Sequence, residues 1–201
     1  MGRSTVENSA HGRTHSESVD MEPEQAMAMA AQNSRIVFLH GDVTEHSISN
    51  VTAQMLFLAN INNNPIHLLV STYGGSVDEM FSLYDLIRFL PCPVQTVALG
   101  KVMSAGVLIL ASGVKGKRLM GASSRIMMHS LSGGAMGNVF EVENHAVEMK
   151  RVHELTVTAM ARETKMTKEQ VAAIMDPKLD YFVTPKQALK MGIIDRIIGA
   201  E

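Results

Sequence analysis

Apolar and polar positions follow two alternating regimes along most of the chain. Short runs, apolar throughout at 36–39 and apolar apart from His67 at 66–70, read as buried strands. Each is followed by a stretch whose apolar residues recur at helical spacing. Ile48, Val51, Met55 and Leu58 predict a helix over about 45–60, which Asn62-Asn63-Asn64-Pro65 ends. Val77, Met80, Tyr84 and Ile87 predict a second helix, broken at Pro91-Cys92-Pro93. A third strand is expected at 94–99, and Gly100-Lys101-Val102-Met103-Ser104-Ala105-Gly106 opens a helix running to about Ala111. Three successive strand-then-helix units predict an α/β fold with a largely parallel sheet and right-handed crossovers.

The pattern then changes. A strand at 125–129 leads into the glycine-rich Ser132-Gly133-Gly134-Ala135-Met136-Gly137. Over about 139–163 the residues Val142, Ala146, Met149, Val152, Leu155 and Ala159 keep helical spacing, with charges on the other faces. A helix of that length can project from a small domain and pack on a neighbouring subunit, or cover the sheet. A short helix from Thr167, a strand at 181–183, a helix from Pro185 and a strand at 193–198 complete the pattern. Residues 1–32, rich in Ser, Glu, His, Thr and Asn and without strand patterning, read as a flexible or processed extension preceding one domain over 33–201.

Composition narrows the function classes. With 46% hydrophobic residues in 201, a well-filled core is available. Eighteen Lys and Arg against 20 Asp and Glu leave no positive excess for phosphate neutralisation, so nucleic acid is not an expected partner. The single Cys92 cannot form an internal disulfide, and a reducing, cytoplasmic setting is expected. No apolar run reaches the roughly 18 residues of a membrane span. The Walker pattern Gly-x-x-x-x-Gly-Lys-Ser/Thr is missing, so any ATP hydrolysis must come from another protein.

Two strand-to-helix turns could carry chemistry. Tyr73-Gly74-Gly75-Ser76 offers amides unobstructed by side chains, suited to an oxyanion or a phosphate, or forms a tight turn and nothing more. Ser104 at the next turn is either a nucleophile or an N-cap serine. It is not in the Gly-x-Ser-x-Gly nucleophile elbow, since Val102 stands where glycine would be needed. His129 ends an apolar strand, and Asp176 or Asp180 could orient a histidine. His11, His15, His40, His46, His145 and His153 show no metal-site spacing, and neither a metal nor a cofactor is expected. Ser, His and Asp together would supply nucleophile, base and tautomer-fixing carboxylate, but spacing alone does not select this trio.

Several ordered segments carry a resemblance. They are Ala53-Gln54-Met55-Leu56-Phe57-Leu58, Gly74-Gly75, Leu83-Tyr84-Asp85, the Gly100 to Gly106 run, Lys115-Gly116-Lys117-Arg118, Ser124-Arg125-Ile126-Met127-Met128-His129, Gly133-Gly134, Asp180-Tyr181-Phe182 and Gly192-Ile193-Ile194-Asp195. In these the chain resembles the ClpP family of self-compartmentalised serine peptidases. The resemblance implies the ClpP/crotonase-type spiral of strand-turn-helix units, with the helix near 139–163 as its projecting handle. It implies two stacked heptameric rings, unfolded polypeptides as substrates, and a separate AAA+ unfoldase as partner. It also implies Ser104 as nucleophile, His129 as general base and Asp180 as the acidic member, with the backbone amides of Gly75 and Ala105 as the oxyanion hole. A non-catalytic ring subunit and an acyl-CoA enzyme of the crotonase type are the alternatives.

The sequence departs from the family pattern at named positions. Tyr73 replaces a proline before Gly74-Gly75, and Ala105 replaces the methionine that usually follows the nucleophile. The segment from His129 to Asp180 is two residues longer than is common, with the slack near Met175-Asp176-Pro177. Lys178-Leu179 stands where many relatives carry a ring-linking arginine, and His67 and Leu69 replace aromatic residues of the unfoldase-docking cleft.

Overall fold

In the computed structural model, the residues described are 29–30, 33–175 and 179–199. Most of the polar extension, and the residues Asp176 and Lys178, therefore lie outside the described part. Strand β1 (Ile36–His40) is followed by α1 (Glu45–Ile61), β2 (Ile66–Thr72), α2 (Val77–Phe89), β3 (Val94–Met103) and α3 (Ala105–Ala111). Then come β4 (Leu119–Gly121), β5 (Arg125–Met128), α4 (Val139–Glu163), α5 (Lys168–Met175), β6 (Tyr181–Val183), α6 (Pro185–Met191) and β7 (Arg196–Ile198). Local signals set several boundaries. Thr44 and Ser47 form a capping box at the start of α1, Asn138 and Glu141 one at the start of α4, and Thr184 and Gln187 one at the start of α6. Gly192 ends α6 in the left-handed conformation, which a side chain would disfavour.

The sheet runs β1-β2-β3-β4-β7 in parallel pairings, as the repeated units predict. Alternate residues point inward: Val37 and Leu39, then Ile66, Leu68, Val70 and Thr72, then Val94, Thr96 and Ala98 are all buried. The helices pack on this inner face. Helix α3 reads Ala-Gly-Val-Leu-Ile-Leu-Ala and is buried on every side, so Leu108, Ile109 and Leu110 each contribute about 1.5–3 kcal/mol of apolar burial. Gly106 lets it approach β2, because a Cβ there would lie 2.4 Å from Thr72 Cγ2.

Two departures from the sequence reading shape the site. Gly100 to Met103, which the sequence pattern places at the opening of a helix, continues β3 as a strand, and the short β4 has no counterpart in that pattern. The sheet forks along β3: Val97 and Ala98 pair with β4, whereas Lys101, Val102 and Met103 pair with β5. Gly100, at φ +66°, makes the bend, and its N–H donates to Ser124 Oγ (2.9 Å). The fork carries the end of β3 away from β4 and towards β5 and β6, which pair antiparallel.

Helix α4 spans Val139–Glu163, the range read from its periodicity, but its apolar stripe is not a core face throughout. Burial is confined to Thr156, Val157, Ala159, Met160 and Glu163 in its last turns. Phe140, Val142, Val147 and Leu155 nearer its start are exposed.

Candidate active site

Ser104 follows β3 and precedes α3 with φ +51° and ψ −122°, a conformation that costs a non-glycine residue about 1–3 kcal/mol. Its N–H donates to the Met127 carbonyl at 2.8 Å, and its own carbonyl accepts from Val107 N–H at 3.0 Å, so both sides of the residue are held. The side chain makes no helix-capping hydrogen bond. Instead Oγ lies 2.7 Å from His129 Nε2. Of the two readings open in the sequence, the N-cap serine is therefore set aside. The strained strand-to-helix corner is formed here without the glycine of the elbow motif.

The β5/β6 ladder brings up the other two groups. Its register pairs Met127 with Phe182 and Met128 with Tyr181; one further step sets His129 opposite Asp180. His129 Nδ1 lies 3.6 Å from Asp180 Oδ1, within ion-pair range and longer than a direct hydrogen bond. Asp180 is more open to solvent than His129, with side-chain exposures of 54% and 30%, so solvent weakens this contact more than the Ser104–His129 contact.

The Gly74-Gly75 turn closes the arrangement. Gly74 has φ +101°, and a Cβ on it would stand 2.7 Å from Ser104 Cβ and 2.9 Å from the Met103 carbonyl, so only glycine permits this approach. Its amide is used internally, donating to Thr72 Oγ1 at 2.9 Å. Gly75 bridges Val43 in parallel: Val43 N–H donates to the Gly74 carbonyl (2.8 Å) and Ser76 N–H to the Val43 carbonyl (2.9 Å). Peptide alternation then turns the Gly75 N–H away from Val43, towards the β3 side on which Ser104 lies. Ala105, first residue of α3, has an amide with no intrahelical acceptor.

Beside these groups is a narrow apolar cleft whose lining includes Ser104, Ala105 and His129 together with Val77, Met80, Leu108, Met128, Thr156 and Met160. The periodicity of α2 marks Val77 and Met80 as an inward face but gives no sign that they line a cleft. Thr156 and Met160, an i, i+4 pair on α4, were missed altogether because the stripe read from that helix runs through Leu155 and Ala159. His40 and His46 contribute nothing to this cleft. Among the described residues no cluster of His, Cys, Asp or Glu has metal-binding geometry.

The family model described as Clp protease matches residues 21–201. An ATP-dependent Clp protease proteolytic subunit of Borrelia garinii subsp. bavariensis is 36% identical over 168 residues, 83% of this chain and 86% of that protein. One from Borreliella afzelii is also 36% identical over 168 residues, covering 83% of this chain and 84% of that protein. With a matched span that includes the whole described fold and both turns of the site, the chain belongs to the Clp protease family.

Proposed function

We propose that the chain is a serine endopeptidase subunit in which Ser104, His129 and Asp180 form the catalytic triad. The observation that carries this reading is the 2.7 Å contact between Ser104 Oγ and His129 Nε2 at a strained corner where the serine caps nothing. Ser104 Oγ attacks the peptide carbonyl while His129 Nε2 takes its proton. Asp180, 3.6 Å away, favours the Nδ1–H tautomer and stabilises the imidazolium. The Gly75 and Ala105 amides stabilise the tetrahedral oxyanion, a donor of this kind supplying about 3–4 kcal/mol in the transition state. His129 then protonates the leaving amine, and water, activated by the same imidazole, releases the acyl group from Ser104. The cleft receives the substrate side chain next to the scissile carbonyl, and its methionine, leucine and valine lining suits an apolar residue.

Assembly belongs to the same reading. A single small domain cannot enclose a polypeptide, and the chain bears two apolar surfaces fitted to further copies of itself. One is the outward face of the sheet, where Phe38 and Leu99 lie uncovered although parallel sheets are ordinarily covered on both faces. The other is the exposed start of α4 with Val139 and Phe140. Two stacked heptameric rings fed with unfolded polypeptide by a separate AAA+ ATPase, in the cytoplasm, are the arrangement we infer.

The test is cleavage of a short fluorogenic peptide. Wild-type protein cleaves it, and Ser104→Ala lowers kcat by roughly a thousandfold or more without altering the native mass of the assembly. Undiminished cleavage by the variant would overturn the assignment.

A further inference from the structure

The three helices that wall the site converge at their far ends on one residue. Helix α2 begins two residues after Gly75, α3 begins next to Ser104, and α4 supplies Thr156 and Met160 to the cleft. Glu163, the last residue of α4, is 5% exposed. Its Oε1 accepts from the Tyr84 hydroxyl at 2.7 Å and from Arg88 Nη1 at 2.8 Å, both on α2, and from Arg162 Nε at 3.3 Å. Its main-chain carbonyl accepts from Arg118 Nη1 at 2.6 Å, and the same nitrogen donates to the carbonyl of Ala111, the last residue of α3, at 3.2 Å. Arg118 is fixed in turn by Asp195, through Nε at 2.9 Å and Nη2 at 2.7 Å.

Each contact has a clear physical role. Arginine at the carbonyl ends of α3 and α4 meets the negative ends of their dipoles. Burial raises the Tyr84 phenol above its ordinary value; Arg162 opposes this and Glu163 reinforces it, so the hydroxyl remains a neutral donor to the carboxylate. Tyr84 also packs edge-on against Phe81 with ring centroids 6.3 Å apart, which anchors it to the body of α2. None of these groups lines the cleft.

We propose that Glu163 is a positioning residue for the peptidase reaction: it locks α2, α3 and α4 at fixed spacing, so that the Gly75 amide, Ser104 and the Thr156/Met160 wall stay in register. This rests on the peptidase reading above. Helices are stiff, so a shift where they meet Glu163 is carried to their active-site ends, and a misplacement near 1 Å can cost about a hundredfold in rate. Exchanging the carboxylate for a neutral amide removes the counter-charge shared by Arg88 and Arg162 and weakens the tie between α2 and α4, although Arg162 still donates to the Tyr84 hydroxyl.

The experiment uses two fluorogenic peptides that differ only in Leu or Ala before the scissile bond, with wild type, Glu163→Gln and Tyr84→Phe. The number of working sites is counted by fluorophosphonate labelling of Ser104. A positioning role predicts that, per labelled site, the Leu-over-Ala ratio of kcat/KM falls by roughly threefold or more in at least one variant, with kcat dropping more than KM rises. Tyr84→Phe keeps the core volume and guards against a folding failure of the other variant. A role in folding alone would lower the number of labelled sites and leave the ratio unchanged, so a smaller change in both variants overturns the proposal. Wild type that cleaves neither peptide sinks the peptidase reading itself.

Discussion

Ser104 is strained, and glycines surround the strain. Gly74 presses its α-carbon against the serine, so Gly74→Ala meets both a Cβ 2.7 Å from Ser104 Cβ and an unfavourable φ of +101°. We expect that variant to lose about 1–3 kcal/mol of stability in urea unfolding and at least about tenfold in kcat. Comparison with Gly134→Ala, where a Cβ meets open space, separates the crowding from a general effect of losing a glycine. The chemistry of these residues was only partly legible in the sequence. A serine at a strand-to-helix corner serves equally as a cap or a nucleophile, and what separates the two is the direction of Oγ, which depends on His129 25 residues away. The choice of Asp180 over Asp176 came from family resemblance. Its physical cause is the antiparallel β5/β6 register, which a single chain read locally does not reveal.

At the scale of elements, the forked β3 does the positioning. Periodicity found the strand-helix units and both ends of α4, because those depend on local spacing and capping. It missed the continuation of β3 past Gly100, since a glycine followed by a mixed run looks like a helix start. The long-range pairing of Lys101 to Met103 with β5, together with that of Val102 with Thr72 on β2, makes that run a strand. Strand β4, three residues long, has no period to read. The Arg118–Asp195 pair that holds the far end of α3 gives a pH prediction. Burial alone would raise the Asp195 carboxyl, but the Arg118 guanidinium and the amides of Arg118 and Gly116 lower it to about 2, from 3.8. A depressed carboxylate pKa adds stability that is complete above the unfolded value and is lost as pH falls from about 4 towards 2. Asp195→Asn should therefore cost on the order of 1–2 kcal/mol near neutral pH, allowing for solvent screening. Urea unfolding of both proteins should show this gap closing as pH falls through that window; a gap independent of pH would exclude the ion pair as its source.

For the whole molecule, the exposed apolar surface and the site make one argument. Phe140 is 76% exposed on a helix whose last turns alone are packed, and Phe38 is 51% exposed on an uncovered sheet face. Replacing Phe140 with Asp should reduce the native mass from a stacked assembly towards single rings or smaller species, as read by native mass spectrometry. An unchanged mass would show that this surface does not hold copies together. The proposed chemistry requires that Ser104 be a nucleophile activated by His129. It is tested most directly by reacting the protein with a fluorophosphonate and mapping the adduct by intact and peptide mass. One adduct per chain is expected, on Ser104, with its formation slowed at least about a hundredfold in His129→Ala. An adduct on another residue, or equally fast labelling without His129, would contradict it.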